Sequence, residues 1–131
     1  MKIYLAGGIN GLSDQECRDW REKAKVLLPG HTILDPMDRD YRGVEDQNWE
    51  KIVTQDLKDV DAADILIVNA ANPSWGTAME VRYASGEKHK PVIAFTSSLA
   101  VSPWLQFHCI VVDTLEEAVT VALKRAARVE V

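Results

Sequence analysis

The sequence predicts an α/β fold built on a parallel sheet of about five strands. Short apolar runs, Lys2 to Ala6, Asp64 to Val68 and Pro91 to Phe95, have the length and composition of buried strands. Longer stretches with helical apolar spacing lie between them. Strand and helix alternate along the whole chain, with no internal repeat and no low-complexity segment. Parallel neighbours need helical crossovers, which cover both faces of the sheet. A three-layer sandwich with flavodoxin-like (Rossmann-like) strand order is expected.

The elements follow in order. Gly7-Gly8 stops the first strand. Ser13 or Asp14 can cap a helix running to about Leu28, with Trp20, Ala24, Leu27 and Leu28 on its apolar side, and Pro29-Gly30 ends it. His31 to Leu34 is a short second strand. Asp35 to Gln47 is polar, contains Pro36 and Gly43, and reads as a long functional loop. A helix over about Asn48 to Ala62 precedes the third strand. The turn Asn72-Pro73-Ser74 opens another helix, ending near Gly86. After the fourth strand, Ser97 to Pro103 is a loop and Cys109 to Val112 a fifth strand. Thr114, with Glu117 three residues on, makes a capping box for the last helix.

With 131 residues the chain is expected to form a single domain, 1–131, with a true core. Its formal net charge of -5 and the lack of a basic cluster argue against a polymeric nucleic-acid partner, whereas a free nucleotide needs only a small anion site. Cys17 and Cys109 fit neither a disulfide framework nor a metal spacing, and His31, His89 and His108 show no ligand spacing. No metal and no cofactor are expected. The thiols suit a cytoplasmic protein. The first apolar run is too short for a signal sequence, and no run is long enough to span a bilayer.

Glu80 is the most informative residue. It lies about one turn into a helix at the carboxyl edge of the sheet. Helical side chains lean back toward their own N-terminus, which aims Glu80 at the crevice where such sheets bind ligands. A carboxylate there can act as a nucleophile; the alternative is a solvated helix glutamate. Asp56 is the second. The stripe Trp49, Ile52, Val53, Val60 defines an inward face, and Asp56 falls in its middle, where a carboxylate costs free energy unless paired. It is either a structural aspartate or a site acid, while Asp59 and Asp61 point elsewhere, into solvent. Asp64 anchors a turn. Tyr4, in the first strand, needs a partner for its hydroxyl.

Gly7-Gly8-Ile9-Asn10-Gly11 lets a ligand approach the backbone, yet lacks the spacing of a dinucleotide fingerprint or a Walker loop. Ser74, Gly76 and Thr77 at a helix N-terminus form a ready anion site, or simply a cap. Trp49 and Trp75 could stack on a base or pack at the rim.

In these residues the chain resembles the nucleoside 2-deoxyribosyltransferase family and its relatives that hydrolyse nucleoside 5'-monophosphates. The resemblance rests on KIYLAGGI at the start, on Asp56-Leu57 followed by Ala63-Asp64, and on Pro73-Ser74-x-Gly-x-x-x-Glu80. Tyr83-Ala84 and Gly86-x-x-x-Lys90-Pro91-Val92 continue it. It spans nearly the whole chain. It implies cleavage of an N-glycosidic bond, with Glu80 as nucleophile, Tyr4 orienting it, and Asp56 binding substrate and protonating the departing base. Ser74 stands where members acting on free nucleosides carry an aspartate, and resembles the phosphate-binding serine of the monophosphate hydrolases. Gly8, Ile9, Asn10 and Gly11 match their other phosphate-binding segment, and Gly76 belongs to the same motif as Ser74.

The family's sites are often completed by a neighbouring subunit, which implies a homodimer or higher oligomer, with Ser102 as the residue contributed. Two departures stand out. Glu80-Val81-Arg82 replaces the usual Glu-Leu-Gly or Glu-Ile-Gly, and Asn10 replaces an arginine. Arg82 then either points outward or contacts a phosphate. The reading is an N-glycosidase or transferase whose covalent glycosyl-Glu80 intermediate passes to water or another base. The alternatives are a transferase on free nucleosides, a non-catalytic nucleotide-binding module, and a nicotinamide nucleotide glycohydrolase.

Overall fold

A computed structural model describes residues 1–130. Five strands, β1 (Lys2–Gly7), β2 (Thr32–Leu34), β3 (Ile65–Asn69), β4 (Val92–Phe95) and β5 (Ile110–Val112), form one parallel sheet in the order β2-β1-β3-β4-β5. This is the flavodoxin-like order expected. The chain runs outward from β1 to β2 and then crosses back to β3, so a topological switch lies between β1 and β3. Their carboxyl ends are in step, Gly7 opposite Asn69, so the loops that follow sit side by side.

The pleat sorts each strand between two cores. Ile3, Leu5, Ile65, Ile67 and Ile93 face α1 (Asp14–Leu27) and α5 (Leu115–Glu130), meeting Ala24, Leu115, Ala118 and Ala122. Tyr4, Ala6, Leu66, Val68 and Ala94 face the other way, meeting Val60 of α2 (Glu45–Ala62) and Val81 of α3 (Trp75–Arg82). Alanine at Ala6, Ala84 and Ala94 thins this second layer and leaves room for one large polar side chain, Tyr4, which is wholly buried.

Local chemistry explains the element ends. Ser13 makes a full capping box with Glu16. Thr114 Oγ1 accepts from Glu117 N at 3.1 Å, but the returning Glu117 carboxylate takes the N–H of Asp113 instead. Asp64 accepts from the backbone N–H of Lys2 at 2.7 Å, tying the start of β3 to β1.

Three expectations need correcting. The segment Asp35 to Gln47 is not one long loop: Asp35 caps a 3-10 turn over Pro36–Asp38, and α2 starts three residues early, at Glu45. Ser97 to Pro103 leads into an additional helix, α4 (Pro103–His108), capped by Ser102. The inward stripe proposed for α2 holds only at its end: Val60 is buried, whereas Trp49 and Val53 are 67% and 55% exposed. Beyond Arg82, α3 continues as a π-type turn over Tyr83–Glu87.

Candidate active site

The end of β1 and the loop after it, the segment after β2, α2 and the N-terminal half of α3 enclose a cleft of about 220 Å³. Its floor holds Tyr4 and Glu80. The Tyr4 hydroxyl donates a short hydrogen bond to Glu80 Oε2, across 76 residues of sequence. The bond follows from two facts: Tyr4 points to the α2/α3 face by strand alternation, and Glu80 leans back along α3 over that face.

Burial pushes the Glu80 carboxyl up to about 7; the Tyr4 bond opposes this, and the charge of Asp56 adds to it. Burial and the adjacent carboxylate raise the Tyr4 phenol far above its ordinary range, so Tyr4 remains a donor. Asp56 lines the same cleft and is partly buried. Burial raises its pKa, and Arg39, whose Nη2 lies 3.1 Å from Asp56 Oδ1, opposes that. Two carboxyl groups in one partly buried cleft do not ionise together easily, the condition that separates an acid from a nucleophile.

At the other end of the cleft stand Ile9, Asn10, Ser74, Gly76 and Thr77. Ser74 caps α3, its Oγ accepting from Thr77 N at 3.4 Å. Gly8 backs this end: a Cβ there would lie 3.0 Å from Leu12 Cδ1 and 3.9 Å from Ser74 Cβ. Gly11 has φ +79, a left-handed conformation that lets the loop fold back. Neither Gly8 nor Gly11 lines the cleft itself.

Several residues fall elsewhere. Ser102 is exposed at the start of α4 and does not line this cleft, so within one chain it is not part of the site. Trp49 and Trp75 are exposed and also stand outside it. Arg82 does not reach the cleft. Its guanidinium folds over Gly86 and borders a separate groove of about 690 Å³, with His89, Trp104, Phe107 and His108. That groove is larger, but it contains none of the carboxylates; the chemistry, not the size, locates the site. Asp59 is not solvated either, since it accepts from Arg39 Nη2 at 2.7 Å.

The structure adds residues that the sequence reading missed. Arg21 is fully buried, donates to Gly7 O at 3.1 Å and to Cys17 O at 2.7 Å, and pairs with buried Asp35 at 3.3 Å. It thereby ties the end of β1 to the end of β2, beneath both loops of the cleft. Its signal was present: Arg21 lies on the helical stripe Cys17, Ala24, Leu28, all buried. Arg39, Tyr41 and Arg42 line the cleft from the loop after the 3-10 turn. Thr77 is buried and its hydroxyl has no hydrogen-bond partner among the described residues. One turn in, it has no helical carbonyl four residues back to bond.

Comparison with known proteins makes the class of this chain definite. The family profile described as Nucleoside 2-deoxyribosyltransferase matches residues 3–118. The chain belongs to the nucleoside 2-deoxyribosyltransferase family, whose chemistry is glycosyl transfer.

Among solved structures it is similar to a conserved protein from Enterococcus faecalis V583, with TM-score 0.70 and 19% identity, covering 95% of this chain and 98% of that one. It is also similar to a 2-deoxyribosyltransferase from Bacillus psychrosaccharolyticus, with TM-score 0.63 and 24% identity, covering 80% and 79%. At these identities the likeness speaks for the fold. No curated protein matches significantly.

Proposed function

We propose that this chain, acting as one domain, cleaves the N-glycosidic bond of a nucleoside 5'-monophosphate through a covalent glycosyl-Glu80 intermediate. The observation that carries the reading is the Tyr4–Glu80 hydrogen bond on the floor of a cleft that also holds Asp56. An oxygen of Glu80 attacks the anomeric carbon as the bond to the base nitrogen breaks. The bonding pair leaves with the base, which takes a proton from Asp56 or from water. The ester is then attacked by water, whose proton goes to Asp56, or by a second base. The transition state is oxocarbenium-like, as in retaining glycosidases.

Tyr4 fixes the carboxylate and leaves its other oxygen free to attack. Ser74, the Gly8-to-Gly11 loop and the N-terminus of α3 support a phosphate at the far end, because unpaired helix N–H groups favour an anion. The proposed phosphate ligands are Ile9, Asn10, Ser74 and Gly76, which line the cleft, with Gly8 and Gly11 shaping the loop behind them. Hydrolysis and base transfer share the first half-reaction, so both outcomes belong to this reading. No residue of the cleft calls for a metal or cofactor. Cys17 and Cys109 are free thiols, which supports a cytoplasmic setting.

A second copy of the chain is proposed to complete the site with Ser102. Exposed Trp49, Val53, Trp75 and Met79, and separately Trp104 and Phe107, provide apolar surface for such an assembly.

Release of free base, followed by chromatography over a panel of nucleosides and their 5'-monophosphates, tests the proposal. Release from monophosphates that disappears in Glu80→Ala is the expected result. Binding without release, unchanged by Glu80→Ala, would instead mean a nucleotide-binding module.

A further inference from the structure

Asp56 and Glu80 line one cleft but have opposite tasks. Glu80 must be a carboxylate when it attacks, and Asp56 must hold a proton when the base leaves. The cations around Asp56 work against that. Arg39, just after the 3-10 turn, donates to Asp56 Oδ1 from Nη2 at 3.1 Å, and the charge of Arg21 on α1 also favours the ionised form. Tyr4 of β1 and Glu80 of α3 share the cleft with it. Asp40 and Arg42 line it too, paired with each other and, through Arg42, with Asp14; Glu45 accepts from the N–H of Gly43.

One further carboxylate acts the other way. Asp59 lies three residues beyond Asp56 on α2 and does not line the cleft. It takes the same Arg39 nitrogen at 2.7 Å, the shorter of the two contacts. The two carboxylate oxygens therefore lie within about 6 Å of one another, the range in which a like charge opposes ionisation. Asp59 repels a charge on Asp56. It also draws the guanidinium away from a bidentate grip that would fix Asp56 as a carboxylate. Burial raises the Asp56 pKa, Arg39 opposes this, and the charge of Asp59 adds to it.

We propose that Asp59 is a positioning residue for the reaction: acting on Asp56 directly and through Arg39, it keeps a proton there for the departing base. As the bond from the anomeric carbon to the base nitrogen breaks, the bonding pair goes to that nitrogen and the proton of Asp56 follows it. Asp56 regains a proton from the water that opens the Glu80 ester. Asp59 supplies no atom to either step. The proposal rests on the N-glycosidic reading above and adds to it the residue that governs its acid.

Asp59→Asn keeps the shape and an acceptor for Arg39, so folding is preserved, but removes the charge; Asp59→Glu keeps the charge. At pH 8, above the Glu80 titration, kcat/KM is compared on two kinds of substrate. One is the 5'-monophosphates of deoxyadenosine, deoxyguanosine, deoxycytidine and thymidine and their ribo counterparts. The other is the 4-nitrophenyl glycosides of the same sugar phosphates, whose phenolate leaves without a proton. Asp59→Asn is expected to lose about tenfold on the nucleotides and nothing on the nitrophenyl substrates, and Asp59→Glu to recover most of the loss. In parallel, the Asp56 carboxyl is titrated by carbon-13 NMR in Glu80→Gln, where its coupled partner no longer ionises. Adding Asp59→Asn should lower that titration by about one pH unit.

An equal loss on both leaving groups, no loss on the nucleotides, or an Asp56 titration unmoved by Asp59→Asn would overturn the proposal. If no base is released from anything, the N-glycosidic reading fails. The titration then decides alone: a fall would uphold the hold of Asp59 on the Asp56 proton, and an unmoved curve would remove it.

Discussion

Tyr4 and Glu80 share a hydrogen bond that joins β1 to α3 beside the topological switch. Tyr4 is fully buried, so its hydroxyl has no water to fall back on, and Glu80 is its acceptor. The bond orients the carboxylate and favours its charged form. Tyr4→Phe is therefore expected to lower kcat about ten- to a hundredfold with little change in KM, consistent with the loss of one charge-assisted hydrogen bond. Steady-state kinetics checks this. A variant with unchanged kcat would remove Tyr4 from the mechanism.

The acid limb of the pH–rate profile should report Glu80. A nucleophile must be ionised, and burial pushes Glu80 up to about 7. Values of kcat/KM should therefore rise as pH increases through about 7. In Tyr4→Phe the limb should move to higher pH, because the bond that opposes burial is gone. A limb at the ordinary glutamate position, near pH 4 to 5, would count against a buried nucleophile.

Stability should follow the same group with its sign fixed. Glu80 binds its proton more tightly folded than unfolded, so its burial costs nothing below the unfolded pKa and a growing amount as pH rises toward about 7. Glu80→Gln removes the charge. The variant should match the wild type in acid and be more stable than it at pH 8, as read from urea unfolding. A variant less stable at pH 8 than at pH 4, relative to the wild type, would contradict the assignment.

Arg21 underpins both loops of the cleft without lining it. Arg21→Met leaves Asp35 buried with Lys25, 2.9 Å from its Oδ2, as the remaining partner. Breaking a buried pair costs about 3 to 5 kcal/mol, and the Lys25 contact places this case near about 3 kcal/mol. Denaturant melts measure it. A loss under about 1 kcal/mol, at the level of a surface pair, would show that Arg21 is not a structural tie.

Ser74 should separate substrates. Ser74→Ala is expected to raise KM strongly for a nucleoside 5'-monophosphate and hardly at all for the free nucleoside. Equal loss on both would mean that Ser74 acts only as the helix cap seen in the structure.

The alternation of elements was legible because buried parallel strands leave runs such as Ile65 to Val68, and because Gly and Pro mark the turns between them. Tyr4 and Glu80 stood out in the sequence as a polar residue in a buried strand and a carboxylate at the sheet edge, whereas Asp56 was singled out on an α2 stripe that fails at Trp49 and Val53. α4 was not legible. It is six residues long, and Trp104 and Phe107 are 74% and 85% exposed, so it presents no stripe to the core. Arg39 was also hidden, because its partners Asp56 and Asp59 lie on another element and only the tertiary fold brings them together. The exposed Trp49 and Val53 misled for the opposite reason: an apolar stripe need not face the core of its own chain.

The central claim, a covalent bond to Glu80, is tested most directly by acid-quenching the enzyme during turnover and weighing the intact protein. The expected result is a mass increase equal to one sugar phosphate, mapped to the peptide containing Glu80 and absent from Glu80→Gln. Base release at full rate with no adduct, persisting in Glu80→Gln, would contradict the account.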